Sequence, residues 1–194
     1  MTEPRLALIG CVKESWAPPL QLVYIAGFLR EYGGFRQIRV LDVNSGPVLK
    51  QLREYQPDVV GISALTPLYS DAVRLARSIR RAHPKVVLMV GGHHISGWPQ
   101  SLDPVFDVAV LGEGEQTTLE LMEAYADKGE LSAEVLSEIA GVAFWREGRI
   151  QQTKKRGFIE QLDKIPMPDR SFLPELYRHK RHVRFEFVII VACK

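Results

Sequence analysis

Residues 58–67 read DVVGISALTP. The run Val59, Val60, Gly61, Ile62 is apolar and rich in β-branched residues, and it is short enough to be a buried strand rather than a helix. At Ser63 the character changes. Ser63-Ala64-Leu65-Thr66-Pro67 brings two hydroxyls, a small residue and a proline that biases Thr66 toward extended geometry. This is a loop leaving the carboxyl end of a strand. In open parallel α/β sheets ligands bind at such ends, where the strand order reverses, so this loop is the first candidate for function.

The same punctuation recurs on either side. Leu6 to Gly10 (LALIG) is a short buried strand followed by the proline-marked loop Cys11 to Pro19, and Leu22, Ile25, Ala26 and Leu29 then recur at helical spacing until Gly33-Gly34. Ile38 to Val43 is a second strand and Val48 to Tyr55 a short helix. Ala72, Leu75, Ala76 and Ile79 form the apolar face of a helix whose other face, Arg74, Arg77, Arg80 and Arg81, is expected to be solvated. Val86 to Val90 and Val108 to Leu111 are further strands, and Thr117 to Ala126 is the helix after the last. Strands alternating with helices predict a doubly wound α/β domain with a five-stranded parallel sheet, and the order 2-1-3-4-5 follows by analogy with other such domains. Val142 to Trp145 and Ile150 to Thr153, joined by a turn at Arg146 to Arg149, predict a hairpin beside that sheet. Pro166, Pro168 and Pro174 mark a linker, and Phe185 to Ala192 (FEFVIIVA) predicts one more strand whose partner lies in another segment or subunit.

Bulk properties narrow the class. The 194 residues are 46% hydrophobic and 25% charged, as expected for a globular protein, and formal net charge is +2. Charge is uneven: residues 151–194 carry ten Lys/Arg against five Asp/Glu, so the body is mildly acidic and the tail basic. A solvated linker is the expected reading of that tail, with no nucleic-acid partner. Cys11 and Cys193 are too few for a disulfide framework, and no apolar run reaches the ~20 residues of a membrane helix. Charged Glu3 and Arg5 break any leader-like stretch, so cytoplasmic localisation without membrane association is expected. Cys11 reads as a core thiol.

Four loops, after the first, third, fourth and fifth strands, should converge on one rim. Gly91-Gly92 lets backbone approach a ligand without Cβ obstruction, Ser63 and Thr66 offer hydroxyls, and Gly112-Glu113-Gly114 combines N–H donors with a carboxylate. His93-His94 reads as polar loop lining, and Glu115 as a carboxylate favoured in a first helical turn. Trp98-Pro99 reads as a packing anchor.

The spacing of these pieces resembles the cobalamin-binding domain family, whose fingerprint is Asp-x-His-x-x-Gly, about forty residues, Ser-x-Leu, somewhat under thirty residues, and Gly-Gly. Ser63-Ala64-Leu65 and Gly91-Gly92 are separated by 25 residues. Counting back 41 residues from Ser63 places the first motif at Trp16 to Gln21, WAPPLQ, where Trp16 stands for the Asp and Pro18 for the His. The lower cobalt-ligating histidine is therefore missing. With APPL at the first helix, PDVVGISALTP, VGGHH, LGEGEQT and IEQLDKIPMPDR, the chain is similar to the amino-terminal half of cobalamin-dependent radical SAM enzymes, in which that histidine is commonly absent.

The resemblance implies a flavodoxin-like, Rossmann-like cobalamin domain over residues 1–130, a hairpin extension over 131–160, and over 161–194 a linker with the first strand of a radical SAM domain. It implies that Trp16, Ala17, Pro18 and Leu20 face the underside of the corrin. Ser63, Leu65 and Thr66 would line the nucleotide tail, Gly91 and Gly92 would let it pass beside His93, and Gly112, Glu113 and Gly114 would border tail or corrin edge. Cys193 stands where the first of three iron–sulfur cysteines would be. The longer enzyme would then use cobalamin, a 4Fe–4S cluster and S-adenosylmethionine, typically for methyl transfer from methylcobalamin, whereas the segment 1–194 would bind cofactor without catalysing the reaction alone, its partners being cobalamin and a radical SAM domain. Two other readings stand beside this one: a domain that has lost cobalamin and serves as a docking or substrate-positioning module, and a nucleotide- or flavin-binding domain, against which CVKESWAPP lacks the glycines of a phosphate loop.

Overall fold

The strand β1 (Leu6–Gly10) is buried at all five positions, as a strand covered on both faces must be. Around it a computed structural model, which describes residues 3–11, 18–161, 163 and 165–178, arranges one sheet with helices on both sides. The parallel strands are β1, β2 (Ile38–Asp42), β3 (Val59–Ser63), β4 (Val87–Gly91) and β5 (Val108–Val110). They stand in the expected order β2-β1-β3-β4-β5. The hairpin β6 (Val142–Arg146) and β7 (Arg149–Gln152) adds to the β5 edge in antiparallel sense, so the sheet has seven strands. Glu147 and Gly148 turn that hairpin with φ of 51° and 76°, the twist a two-residue connection requires.

Alternation of side chains along each strand divides the core in two. On one face Leu8, Val59, Met89 and Val108 pack beneath α1 (Leu20–Gly33) and α5 (Gly114–Lys128). On the other, Ile9, Val60, Ile62 and Leu88 pack against α2 (Val48–Tyr55) and α3 (Tyr69–Ala82). Ile9, Val60 and Leu88 are completely buried, and each such side chain contributes about 1.5–3 kcal/mol. Helix ends follow the sequence: Gly34 closes α1 at φ 68° with its N–H on the Leu29 carbonyl, and Gly129 closes α5 at φ 75°.

Three features depart from expectation. The arginine face of α3 is not simply solvated: Arg77 pairs with Asp103 at 2.9 Å, and Arg80 with Asp107 at 2.7 Å while donating to the Val86 carbonyl at 2.6 Å. The short helix α4 (His93–Gly97) occupies a stretch read as loop, α6 (Ala133–Ser137) stands in the part expected to be a hairpin extension, and Thr66–Leu68 is a 3-10 turn rather than extended chain. The linker contains a 3-10 turn, Arg170–Phe172, and a one-turn helix α7 (Glu175–Arg178). Trp16, Ala17, Cys193 and the strand expected at Phe185 to Ala192 lie outside the described residues. Among the described residues no helix is long and apolar enough to cross a membrane.

Candidate functional site

Strand register brings the rim together. Asp42, Gly10, Ser63 and Gly91 are consecutive partners across β2, β1, β3 and β4. Two residues earlier, on the same face, come Leu8, Gly61 and Met89 in one row. Gly61 is the low point of that row. A Cβ there would lie 2.9 Å from Leu8 Cδ2 and 3.5 Å from Met89 Cε, so its absence opens a slot between two large side chains.

The slot is a cavity of about 660 Å³ between sheet and helices, within the usual range of ligand pockets, about 300–1,000 Å³. Its floor is Leu8, Gly61, Met89 and Val110; its roof is Leu22 and Ile25 of α1 with Gly114 and Thr118 of α5. Gly114 matters for the roof, since a Cβ there would come within 3.0 Å of Ile25 Cδ1. Pro18, Ser63, Leu65, Gly92, His93, Gly112 and Glu113 surround the mouth. The walls are apolar, and at the rim Ser63, His93 and Glu113 set polar groups beside Pro18 and Leu65.

The expected site residues do not all reach this cavity. Pro18, Ser63, Leu65, Gly91, Gly92, His93, Gly112, Glu113 and Gly114 line it. Thr66 is exposed in its 3-10 turn, and Leu20 packs at the margin of the core under α1; neither is part of the lining, and Gln21, Leu22 and Ile25 take the α1 side. The two glycines at 91 and 92 have separate reasons. Gly92 has φ 103°, and a Cβ there would lie 2.6 Å from the Ala64 carbonyl oxygen, so glycine is required where the loops after β3 and β4 touch. A Cβ on Gly91 would meet only Val110 atoms, at 3.8 Å and beyond.

The two histidines also part. His93 is exposed at the cavity edge. His94 is buried, stacked on Tyr69 at 4.1 Å with Nε2 3.0 Å from Ser101 Oγ, and is a packing residue rather than loop lining. The loop 112–114 is tied at both ends: Gly112 N–H donates to Ser96 Oγ at 2.9 Å, and Glu113 Oε2 accepts from the Ile159 N–H at 2.7 Å. At the start of α5, burial pushes the Glu115 carboxyl above the usual carboxylate range, with the Glu113 charge adding to the rise and backbone N–H groups opposing it.

Sequence reading missed the floor. Leu8, Gly61, Met89 and Val110 precede Gly10, Ser63, Gly91 and Gly112 by two residues, the period of a strand, and a glycine inside a strand pattern is itself a sign of close approach. Asp42 was missed as well. It is 2% exposed, lines the cavity, and takes the Asn44 N–H on Oδ1 at 2.6 Å. Among the described residues no group of three or more His, Cys, Asp or Glu side chains gathers as a metal site.

Comparison with known proteins bears on this slot. The model of the B12 binding domain family matches residues 6–122, which contain the floor, the roof residues of both helices and nearly all of the mouth. An uncharacterized methyltransferase of Pyrococcus horikoshii is 31% identical over 88% of this chain and 37% of its own length. The anaerobic magnesium-protoporphyrin IX monomethyl ester cyclase of Rubrivivax gelatinosus is 32% identical over 80% and 29%. The cytidylyl-2-hydroxyethylphosphonate methyltransferase of Streptomyces wedmorensis is 34% identical over 69% and 28%. The cobalamin-dependent S-adenosylmethionine radical enzyme OxsB shares the fold, with a TM-score of 0.63 at 20% identity over 85% of this chain and 24% of that one. The chain thus spans a quarter to just over a third of the length of these relatives.

Proposed function

The chain belongs to the B12-binding domain family, and from that premise we propose that its slot holds the nucleotide tail of cobalamin while the corrin rests on the rim formed by Pro18, Leu65, His93 and Glu113. The single observation that carries this reading is the glycine floor. An apolar space that a Cβ at Gly61 would narrow, roofed at Gly114 with no Cβ in the way, suits a flat aromatic base entering edge-on between sheet and helices. Its polar mouth suits a ribose and phosphate: Ser63 can donate its hydroxyl, and the Asp42 carboxylate can accept from a ligand hydroxyl or amide. Such a slot favours a ligand-holding role over that of a docking module.

When bound, cobalamin supplies a cobalt able to take up and give away a methyl group. The residues of this chain hold it, orient it and keep water from its buried tail. WAPPLQ, the stretch that would face the corrin on this reading, contains no histidine to hold the cobalt, and a weakly held cobalt would give up a methyl group more readily. On this reading the whole protein is a radical SAM methyltransferase whose 4Fe–4S cluster and S-adenosylmethionine belong to a neighbouring domain; Cys193 would then be the first cluster ligand. The two methyltransferases among the relatives support methyl transfer, and OxsB supports the pairing of cobalamin with S-adenosylmethionine.

The test is a titration of the folded protein with hydroxocobalamin, followed by its visible spectrum. Saturable binding at micromolar concentration is expected. No binding below millimolar would overturn the proposal.

A further inference from the structure

The mouth of the slot includes one residue from outside the region that the family model matches. Phe158 follows β7 in sequence and lines both the slot and a second hollow of about 440 Å³ formed with Phe28, Tyr32 and Leu119. Its ring is 74% exposed. Exposure of a large aromatic is unremarkable on a loose tail, but this backbone is held on both sides of the ring. On one side Arg156 donates from Nε to Thr117 Oγ1 at 2.8 Å, from Nη2 to the Ala140 carbonyl at 3.1 Å, and pairs with Glu120. On the other, the Ile159 N–H donates to Glu113 Oε2 at 2.7 Å, and Glu113 itself lines the slot. Gly141 has φ 79°, and a Cβ there would come within 3.1 Å of Thr117 Oγ1 and 3.2 Å of Arg156 Cβ, so glycine leaves room for the first anchor.

We infer that residues Arg156–Ile159, which line the second hollow, form a strap beside the mouth of the slot, and that Phe158, the one of the four that also lines the slot, is the side chain by which it contacts and retains the bound ligand. This inference rests on the reading of the slot as a cobalamin site. An anchored backbone that presents an exposed apolar ring at a cavity mouth draws little folding stability from that ring, and a ligand in the slot would cover part of its surface. Lys155, whose Nζ lies 6.0 Å from the Phe158 ring centroid, sets a cation beside that ring.

Retention predicts an effect on release rather than on capture. Phe158→Ala should speed dissociation of hydroxocobalamin, measured by chase in a stopped-flow spectrometer, by about ten-fold, with association changed much less, and Phe158→Tyr should restore slow release. Since the ring is exposed, neither variant threatens the fold. Release within about two-fold of the parent for Phe158→Ala would overturn the inference. A second measurement needs no cobalamin: in amide hydrogen exchange Ile159 should be protected in the parent and lose that protection in Glu113→Ala. Fast exchange at Ile159 in the parent would overturn the strap whatever the ligand does. If the parent takes up no cobalamin, the functional reading falls and the ligand contact of Phe158 with it, while protection at Ile159 still decides whether the strap exists.

Discussion

The carbonyl oxygen of Ala64 stands 2.6 Å from where a Cβ of Gly92 would be. Carbonyl and Cβ cannot share that distance, and φ of 103° at Gly92 is a conformation other residues adopt at a cost. Gly92→Ala should therefore destabilise the protein by about 1–3 kcal/mol in urea unfolding. Gly91→Ala, whose Cβ meets nothing closer than 3.8 Å, should cost under about 1 kcal/mol. Equal costs at the two positions would contradict the separate reasons given for them.

Gly61 lies in the middle of a strand, where a β-branched residue is intrinsically favoured. Its nearest neighbour across the slot, Leu8 Cδ2, is the end of a side chain that can yield. Gly61→Val should leave the far-ultraviolet circular dichroism unchanged yet weaken cobalamin binding by at least about ten-fold by narrowing the slot. A variant that binds as the parent does would show that the ligand does not reach the floor.

His93 is exposed at the cavity edge and has no counterpart to the lower histidine of the family fingerprint. His93→Ala is expected to leave the visible spectrum of bound cobalamin unchanged at neutral pH. A shift of the spectrum between the two proteins would make this histidine a cobalt ligand.

Burial raises the Glu115 carboxyl above its ordinary range. The folded state therefore holds this proton more tightly than the unfolded chain. The resulting stabilisation is present below the ordinary carboxylate pKa and is lost as pH rises through the raised one. Glu115→Gln should consequently melt higher than the parent at neutral pH, by about 2 °C, with the gain vanishing in acid. A difference in Tm that stays constant from pH 4 to pH 8 would contradict this account.

Arg156 is mostly buried and serves Thr117, Ala140 and Glu120 at once. Arg156→Met keeps the length of the side chain but, among the described residues, leaves Glu120 with the Gln116 side-chain amide, which donates to its Oε1 at 3.1 Å. A loss of about 1–3 kcal/mol is expected in thermal or denaturant unfolding. A neutral substitution would mean that the anchor contributes nothing to the fold.

That the first five strands are parallel was legible from their alternation with crossover helices, while their order followed by analogy with other doubly wound domains. The rim was legible too, because loops at strand ends carry the residues that differ most from the core around them: Ser63, Gly91, Gly112 and Glu113. The helix α4 was not, for its five residues, HHISG, hold too little periodicity to distinguish from a loop. His93 and His94 looked alike in sequence because one turn of helix, invisible there, sends one outward and the other onto Tyr69.

The sequence by itself determined the fold class and the loops that gather at one edge of the sheet, and its motifs carried the resemblance to the family, since periodicity, motif spacing and glycine punctuation are local properties. Tertiary structure alone decided the depth of the site. Gly61 becomes a floor only when Leu8 and Met89 flank it in register, Gly92 becomes indispensable only when Ala64 arrives from another loop, and Phe158 stands at the mouth between backbone anchors that Thr117 and Glu113 supply from α5 and the loop before it. Each of these depends on contacts between residues distant along the chain, made by a particular arrangement of strands that no local pattern encodes.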